Sequence, residues 1–255
     1  MKLPVIRGLI DRRMLINYRV EPSVIAGLLP APFRPKLHRG YGLAGLCLIR
    51  LKQVRPKIMP RWMGISSENA ATRFAVEWED ESGFHEGVYV RRRDTNNWLN
   101  TLAGGRIFPG VHSHGRFQSD ETATHFHFQM RSDDGAMEVE LDADLATKWP
   151  AGSIFDSLEE ASAFFAAGSL GYSATSDGSR FQGLELRCYE WKVEPLAMNF
   201  VHSNFFDDRE RFPEGSIQFD CGLLMRGIEH EWHGKPEMCC HQEIAAGKKQ
   251  VPATA

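Results

Sequence analysis

A mainly β architecture with few short helices, built as one antiparallel barrel or sandwich, is the fold class that the sequence predicts. Three observations carry that expectation. Short runs with alternating or β-branched residues recur along the whole chain, separated by turn residues. Segments with helical start and stop signals are few and short. No repeat, low-complexity linker or composition shift divides the 255 residues, and a chain of that length can bury one large core without staples.

The strands are expected in this order. "MLINYRV" (14–20), "YGLAGLCLIRLKQV" (41–54), "TRFAVEWE" (72–79) and "HEGVYVRR" (85–92) come first, followed by "ATHFHFQMR" (123–131) and "AMEVELDADL" (136–145). The "SDDG" between the last two has the composition of a hairpin turn. "RFQGLELRCYEWKVEPLAM" (180–198), "FVHSNFF" (200–206) and "SIQFDCGLLM" (216–225) complete the set. Three helices are expected between them. "EPSVIAGLL" (21–29) has Pro22 where a first-turn proline is tolerated, and Pro30 stops it. "DTNNWLNTLAGG" (94–105) begins at Asp94 or Thr95 as N-cap and ends on a glycine pair. "DSLEEASAFFAAG" (156–168) carries Ser157 and Glu160 in capping-box spacing and ends at Gly168. Residues 1–242 are read as the folded domain, and the small, polar, basic tail 243–255 as disordered.

Composition narrows the function classes. With 30 basic against 33 acidic residues and a formal charge of −3, no electrostatic case exists for nucleic acid as a partner. The five cysteines are odd in number and scattered, unlike a disulfide framework. The opening "MKLPVIRGLIDRRM" breaks its apolar run at Arg7, so no signal peptide is expected. Apolar runs fall far short of the roughly 20 residues of a spanning helix. The expected location is the cytoplasm. The expected partners are a small anionic metabolite and, for assembly, a further copy of this chain, with neither nucleic acid nor membrane.

Two motifs are decoys. "GYGLAG" (40–45) matches GxGxxG but is followed by strand-like residues where the dinucleotide fingerprint needs a helix. Its glycines are better read as sites of close backbone approach. "HEWH" places His230 and His233 three apart, one short of the zinc-protease spacing. The "CCH" at 239–241 has poor metal-ligand spacing.

Two histidine pairs, His112/His114 and His125/His127, have the i, i+2 spacing that shares one face of a strand. They could build a metal site between neighbouring strands or remain half-exposed strand residues. The stretch "VYVRRRDTNNWLNTLAGGRIFPGVHSHGRF" (88–117) is richest in chemistry. Arg92 or Arg93, Arg106 and a helix N-terminus at Asp94 could converge on one anion. The alternative pairs these arginines with Asp94 and Glu86 on the surface.

These residues carry a resemblance. "LINYRVEPSVIAGLLPAPFRPKLHRGYGLAGLCLIRL" is similar to the start of acetoacetate-decarboxylase-like proteins. "RRDTNNWLNTLAGGRIFPGVHSHGRF", "SLEEASAFFAAGSLGYSA" and "MRGIEHEWH" resemble an uncharacterised bacterial branch of that superfamily, over residues 10–234 or so. The resemblance implies an antiparallel β-barrel domain with a central small-molecule pocket. In the decarboxylase a Schiff-base lysine, activated by a second lysine, follows Tyr-Pro, a case that is itself a standard example of a lowered lysine pKa. Here Phe108-Pro109 is followed by Gly110-Val111, and both lysines are missing. Arg12 or Arg13 matches an arginine before the family's first strand. The function so implied is that of a carboxylate- or carbonyl-binding protein, or a lyase-like enzyme without an imine. Arg92, Arg93, Arg106 and Asp94 would bind substrate, His112 or His114 would act as acid/base, and no cofactor or metal is needed. The competing readings are a non-catalytic ligand-binding or assembly protein, and a metal-assisted enzyme using the HxH pairs.

Overall fold

The computed structural model describes residues 4–98 and 110–239. Arg106 and the tail 243–255 lie outside the described residues, as does most of the helix expected over 94–105.

Among the described residues, thirteen strands join in one continuous sheet. They are β1 (Ile6–Val20), β2 (Arg34–Pro35), β3 (Leu37–His38), β4 (Tyr41–Pro56), β5 (Ile65–Asp80), β6 (Gly83–Thr95) and β7 (His112–Glu121), then β8 (His125–Ser132), β9 (Glu138–Leu145), β10 (Leu170–Ala174), β11 (Arg180–Cys188), β12 (Glu194–Ser203) and β13 (Ile217–Cys239). Two helices are described, α1 (Pro22–Ala26) and α2 (Leu158–Ala167). The fold is therefore mainly β, as expected. Ser157 caps α2 by accepting a hydrogen bond from the Glu160 amide at 3.2 Å.

The sheet closes on itself because two strands each carry two partners along one edge. β6 pairs with β10 at Val88 and Tyr89 and with β7 at Arg93–Thr95, both parallel, while β5 runs antiparallel along its other edge. β13 likewise pairs with β12 near Leu223 and with β11 beyond His230, with β1 opposite. The result is two rings sharing a wall of β1, β4 and β5. Alternation divides that wall. Met14, Ile16, Leu46, Leu48, Phe74 and Val76 face one core, which β8 and β9 fill with Phe126, Phe128, Val139 and Leu141. Each such side chain contributes about 1.5–3 kcal/mol on burial. Arg13, Leu15, Cys47, Arg73 and Ala75 occupy the other face, covered by α2 and the segment holding Trp191.

Two expectations are corrected. Asp94 and Thr95 do not start a helix: they end β6, paired to Ala70 and Asn69 on one edge and to Ser113 and His114 on the other. Ladder bonds on both edges outweigh the capping preference of an aspartate. The run 180–198 is two strands, broken between Cys188 and Glu194. "GYGLAG" enters β4, and a Cβ on Gly45 would lie 2.2 Å from the Ile16 carbonyl, the close approach expected of it. No helix of the described residues is long and apolar enough to cross a membrane.

Candidate functional site

On the second face of the shared wall lies a cavity of about 140 Å³. β1 supplies Arg13, β4 Cys47 and Ile49, β5 Ala71 and Arg73, and β6 Val90 and Arg93; β7 adds His112, α2 adds Phe165, and Trp191 and Trp232 close it. Phe165 lies beneath the Arg73 guanidinium at 5.1 Å, and Trp191 beneath that of Arg13 at 5.9 Å. Trp191 is held by its indole N–H, which donates to Ser162 Oγ on α2 at 3.0 Å.

Three guanidiniums meet here, and none forms an ion pair among the described residues. Arg13 Nε donates to Cys47 Sγ at 3.2 Å and its Nη1 approaches Met225 Sδ at 3.7 Å. Arg73 Nη2 donates to Asn17 Oδ1, and Arg93 Nη2 to Ser173 Oγ at 3.0 Å. The Nε atoms of Arg73 and Arg93 are buried without a hydrogen-bond partner. Burial pushes both guanidiniums down to about 10, with the Cys47 sulfur acting in the opposite sense on each. Both remain cations at neutral pH. His112 is pushed down to about 4 by burial and by the Arg93 charge, so its imidazole is neutral there.

The sequence-predicted residues separate. Arg93 and His112 line the cavity, facing each other across the β6–β7 pairing. Arg92 points to the opposite face of β6, where it binds Asp94 at 2.8 Å and Asp134 at 2.8 Å. Asp94 is buried at the cavity wall and held by Arg92; burial raises its carboxyl and Arg92 pulls it back. The surface-pairing alternative thus describes Arg92 but not Arg93, because Glu86 binds Lys36 instead. His114 is away from the cavity, stacked on Trp98 at 4.0 Å and bonded to Asp133 at 2.7 Å. Of the two arginines proposed at the first strand, Arg13 enters the cavity. Arg12 lies on the other face of β1, bound to Glu68 and Glu121.

His125 and His127 share a face, and Asp142 and Asp144 of β9 hold them, with His125 bonded to Asp144 at 3.0 Å. Among the described residues no cluster of three or more His, Cys, Asp or Glu is placed to hold a metal ion. His230 and His233 lie on strand β13 rather than a helix. Arg73, Cys47 and the two tryptophans were not singled out in the sequence. Arg73 carries no signal that could have found it, because its alternation with Phe74 and Val76 reads as a solvent-facing position.

Comparisons with known proteins agree with this architecture. No curated protein matches the chain. Among solved structures, an acetoacetate decarboxylase-like enzyme from Sphingomonas wittichii RW1 superposes with a TM-score of 0.60 at 12% identity, covering 94% of each chain. Acetoacetate decarboxylase from Legionella pneumophila gives 0.58 at 11% identity, over 91% of this chain and 87% of that one. The enduracididine biosynthesis enzyme MppR, complexed with pyruvate, gives 0.59 at 10% identity, over 94% and 91%. At these identities the likeness is one of fold. The family model DUF2071, described as an uncharacterized conserved protein, matches residues 10–215. The chain thus belongs to the DUF2071 family, and it has the fold of the acetoacetate decarboxylases.

Proposed function

We propose that the cavity binds a small metabolite through its carboxylate and that any chemistry there proceeds without an imine to lysine. One observation carries the reading: Arg13, Arg73 and Arg93 converge on a single cavity and, among the described residues, none of them is in an ion pair, the one carboxylate in the wall, Asp94, being held by Arg92. A buried cation is costly unless it is paired, and a guanidinium fork is built for a carboxylate. A ligand carboxylate supplies the counter-charge, while Ile49, Val90, Phe165 and Trp191 suit a short hydrocarbon skeleton. Arg106, also expected to bind the anion, lies outside the described residues. His112, which lines the cavity beside Arg93, is the group placed to exchange a proton with a bound acid in a lyase-like reaction.

The imine-free half rests on Gly110 and Val111 standing where the decarboxylase has its lysines. Gly110 has φ +84°, and a Cβ there would lie 2.6 Å from Ser173 Cβ. The position is shaped for a residue without a side chain. Lys36 lines an adjoining cavity of about 30 Å³, where Glu86 holds its ammonium at 2.8 Å. The pyruvate bound by MppR, a 2-oxo carboxylate, is in keeping with the proposed ligand class. The described free thiols Cys47, Cys188, Cys221 and Cys239 accord with a cytoplasmic site of action.

Calorimetric titration with acetoacetate, pyruvate and their methyl esters tests the binding claim. The acids bind and the esters do not; equal binding of acid and ester, or no binding of any small oxo-carboxylate, contradicts it. Borohydride added to the acetoacetate complex leaves the intact mass unchanged. A stoichiometric adduct on lysine would overturn the imine-free half. A purely ligand-binding role predicts the same titration with no turnover of any bound acid.

A further inference from the structure

The cavity contains a nucleophile to which the reading above gives no role. Cys47 sits mid-strand in β4, paired to Leu15 on β1 and to Ala71 on β5, so its position is held from both sides. Its Sγ accepts the Arg13 Nε hydrogen bond at 3.2 Å and interacts electrostatically with both Arg73 and Arg93. A second observation points to a ligand in the same cavity. Arg73 is 5% exposed, lines the cavity, and has a buried Nε without a hydrogen-bond partner. Arg13, Arg73 and Arg93 line one cavity with Cys47, so a carboxylate seated on these guanidiniums, as in the proposed site, lies beside the sulfur.

We propose that Cys47 is the cavity's nucleophile toward small carboxylates that carry an electrophilic carbon. The arginines seat the carboxylate, and the sulfur attacks the carbon beside it, a gain of proximity rather than of intrinsic reactivity. At a carbonyl carbon the S–C bond forms and the C=O π pair moves to oxygen. The thiol proton ends on that oxygen, giving a reversible hemithioketal that keeps the ligand's carboxylate charge and needs no oxidant. The inference rests on the proposed carboxylate site and adds the group that reacts there.

Iodoacetate and iodoacetamide differ in charge but transfer two-carbon fragments of similar size. With either, the S–C bond forms, iodide leaves, and the thiol proton goes to solvent. The full chain is treated with each reagent at equal concentration near neutral pH, and the cysteines are mapped by mass spectrometry. Cys47 is expected to react about tenfold faster with the anionic reagent, as steering by a cationic cavity provides. The exposed Cys239 serves as the internal comparison and should show no such preference. A Cys47 that stays unmodified, or that prefers iodoacetamide as Cys239 does, overturns the proposal. Titration of the Cys47→Ser variant with acetoacetate keeps the two claims apart. An unreactive Cys47 in a protein that binds acetoacetate sinks the nucleophile alone; failure of both wild type and variant to bind any small oxo-carboxylate sinks the site beneath it.

Discussion

His230 is fully buried on β13, with neither ring nitrogen hydrogen-bonded, and it packs edge-on against Trp232 at 4.2 Å. Burial pushes it down to about 4, as it does His112. In the unfolded chain both return to about 6.5. Between those values the unfolded state binds protons that the native state refuses, so stability falls as the pH drops from 6.5 toward 4. Each group contributes on the order of 1.4 kcal/mol for every pH unit of that window. Replacing His230 by Leu should therefore remove about half of the slope attributable to the pair. Urea unfolding at the two ends of the window measures it. The same slope in wild type and variant would show that His230 is not a buried neutral group. A second residue effect is steric. Gly45→Ala drives a methyl into the Ile16 carbonyl and is expected to cost about 2–3 kcal/mol, read as a lower unfolding midpoint. An unchanged midpoint would mean that β1 and β4 can separate at no cost.

α2 shows how an element far along the chain completes the site. Its N-cap was readable from Ser157 and Glu160, and its Phe165 and Ser162 then support Arg73 and Trp191. Ser157→Ala should lower stability by about 1 kcal/mol, while Ser157→Asp should leave it nearly unchanged; similar losses in both would deny the capping role. The strands were legible for a similar local reason. β4 and β5 announce themselves by alternation, and their observed spans contain the expected ones. β13 extends well past residue 225 because partners on both sides, β1 and β11, hold polar residues such as Glu229 and His230 in the ladder. Pairing of that kind has no local signature. The same limit governs the site. Arg93 and His112 could be named because they cluster in sequence with glycines and a proline. Arg73 could not, since alternation with Phe74, Val76 and Trp78 assigns its face to solvent. Only the covering of that face by α2 and Trp191, some ninety residues or more away in sequence, makes it an interior position.

At the scale of the molecule, the two rings divide labour along their shared wall. One face of β1, β4 and β5 holds a buried aromatic and aliphatic core that fixes strand register; the other holds arginines over a cavity. A charge buried without a counter-ion weakens the fold, so its presence needs a reason outside folding. The central claim is that this reason is a ligand carboxylate, and Arg73→Met tests it most directly. The substitution keeps an apolar stem on Phe165 and removes the buried charge, leaving Asn17 Nδ2 still bonded to the Leu15 and Cys221 carbonyls. Thermal unfolding of wild type and variant, each with and without acetoacetate, is the measurement. The variant alone is expected to melt at or above the wild-type temperature and to lack the ligand-induced rise expected of wild type. A variant that melts well below wild type, yet still gains the full rise with acetoacetate, would show Arg73 to be a structural residue and the account to be wrong.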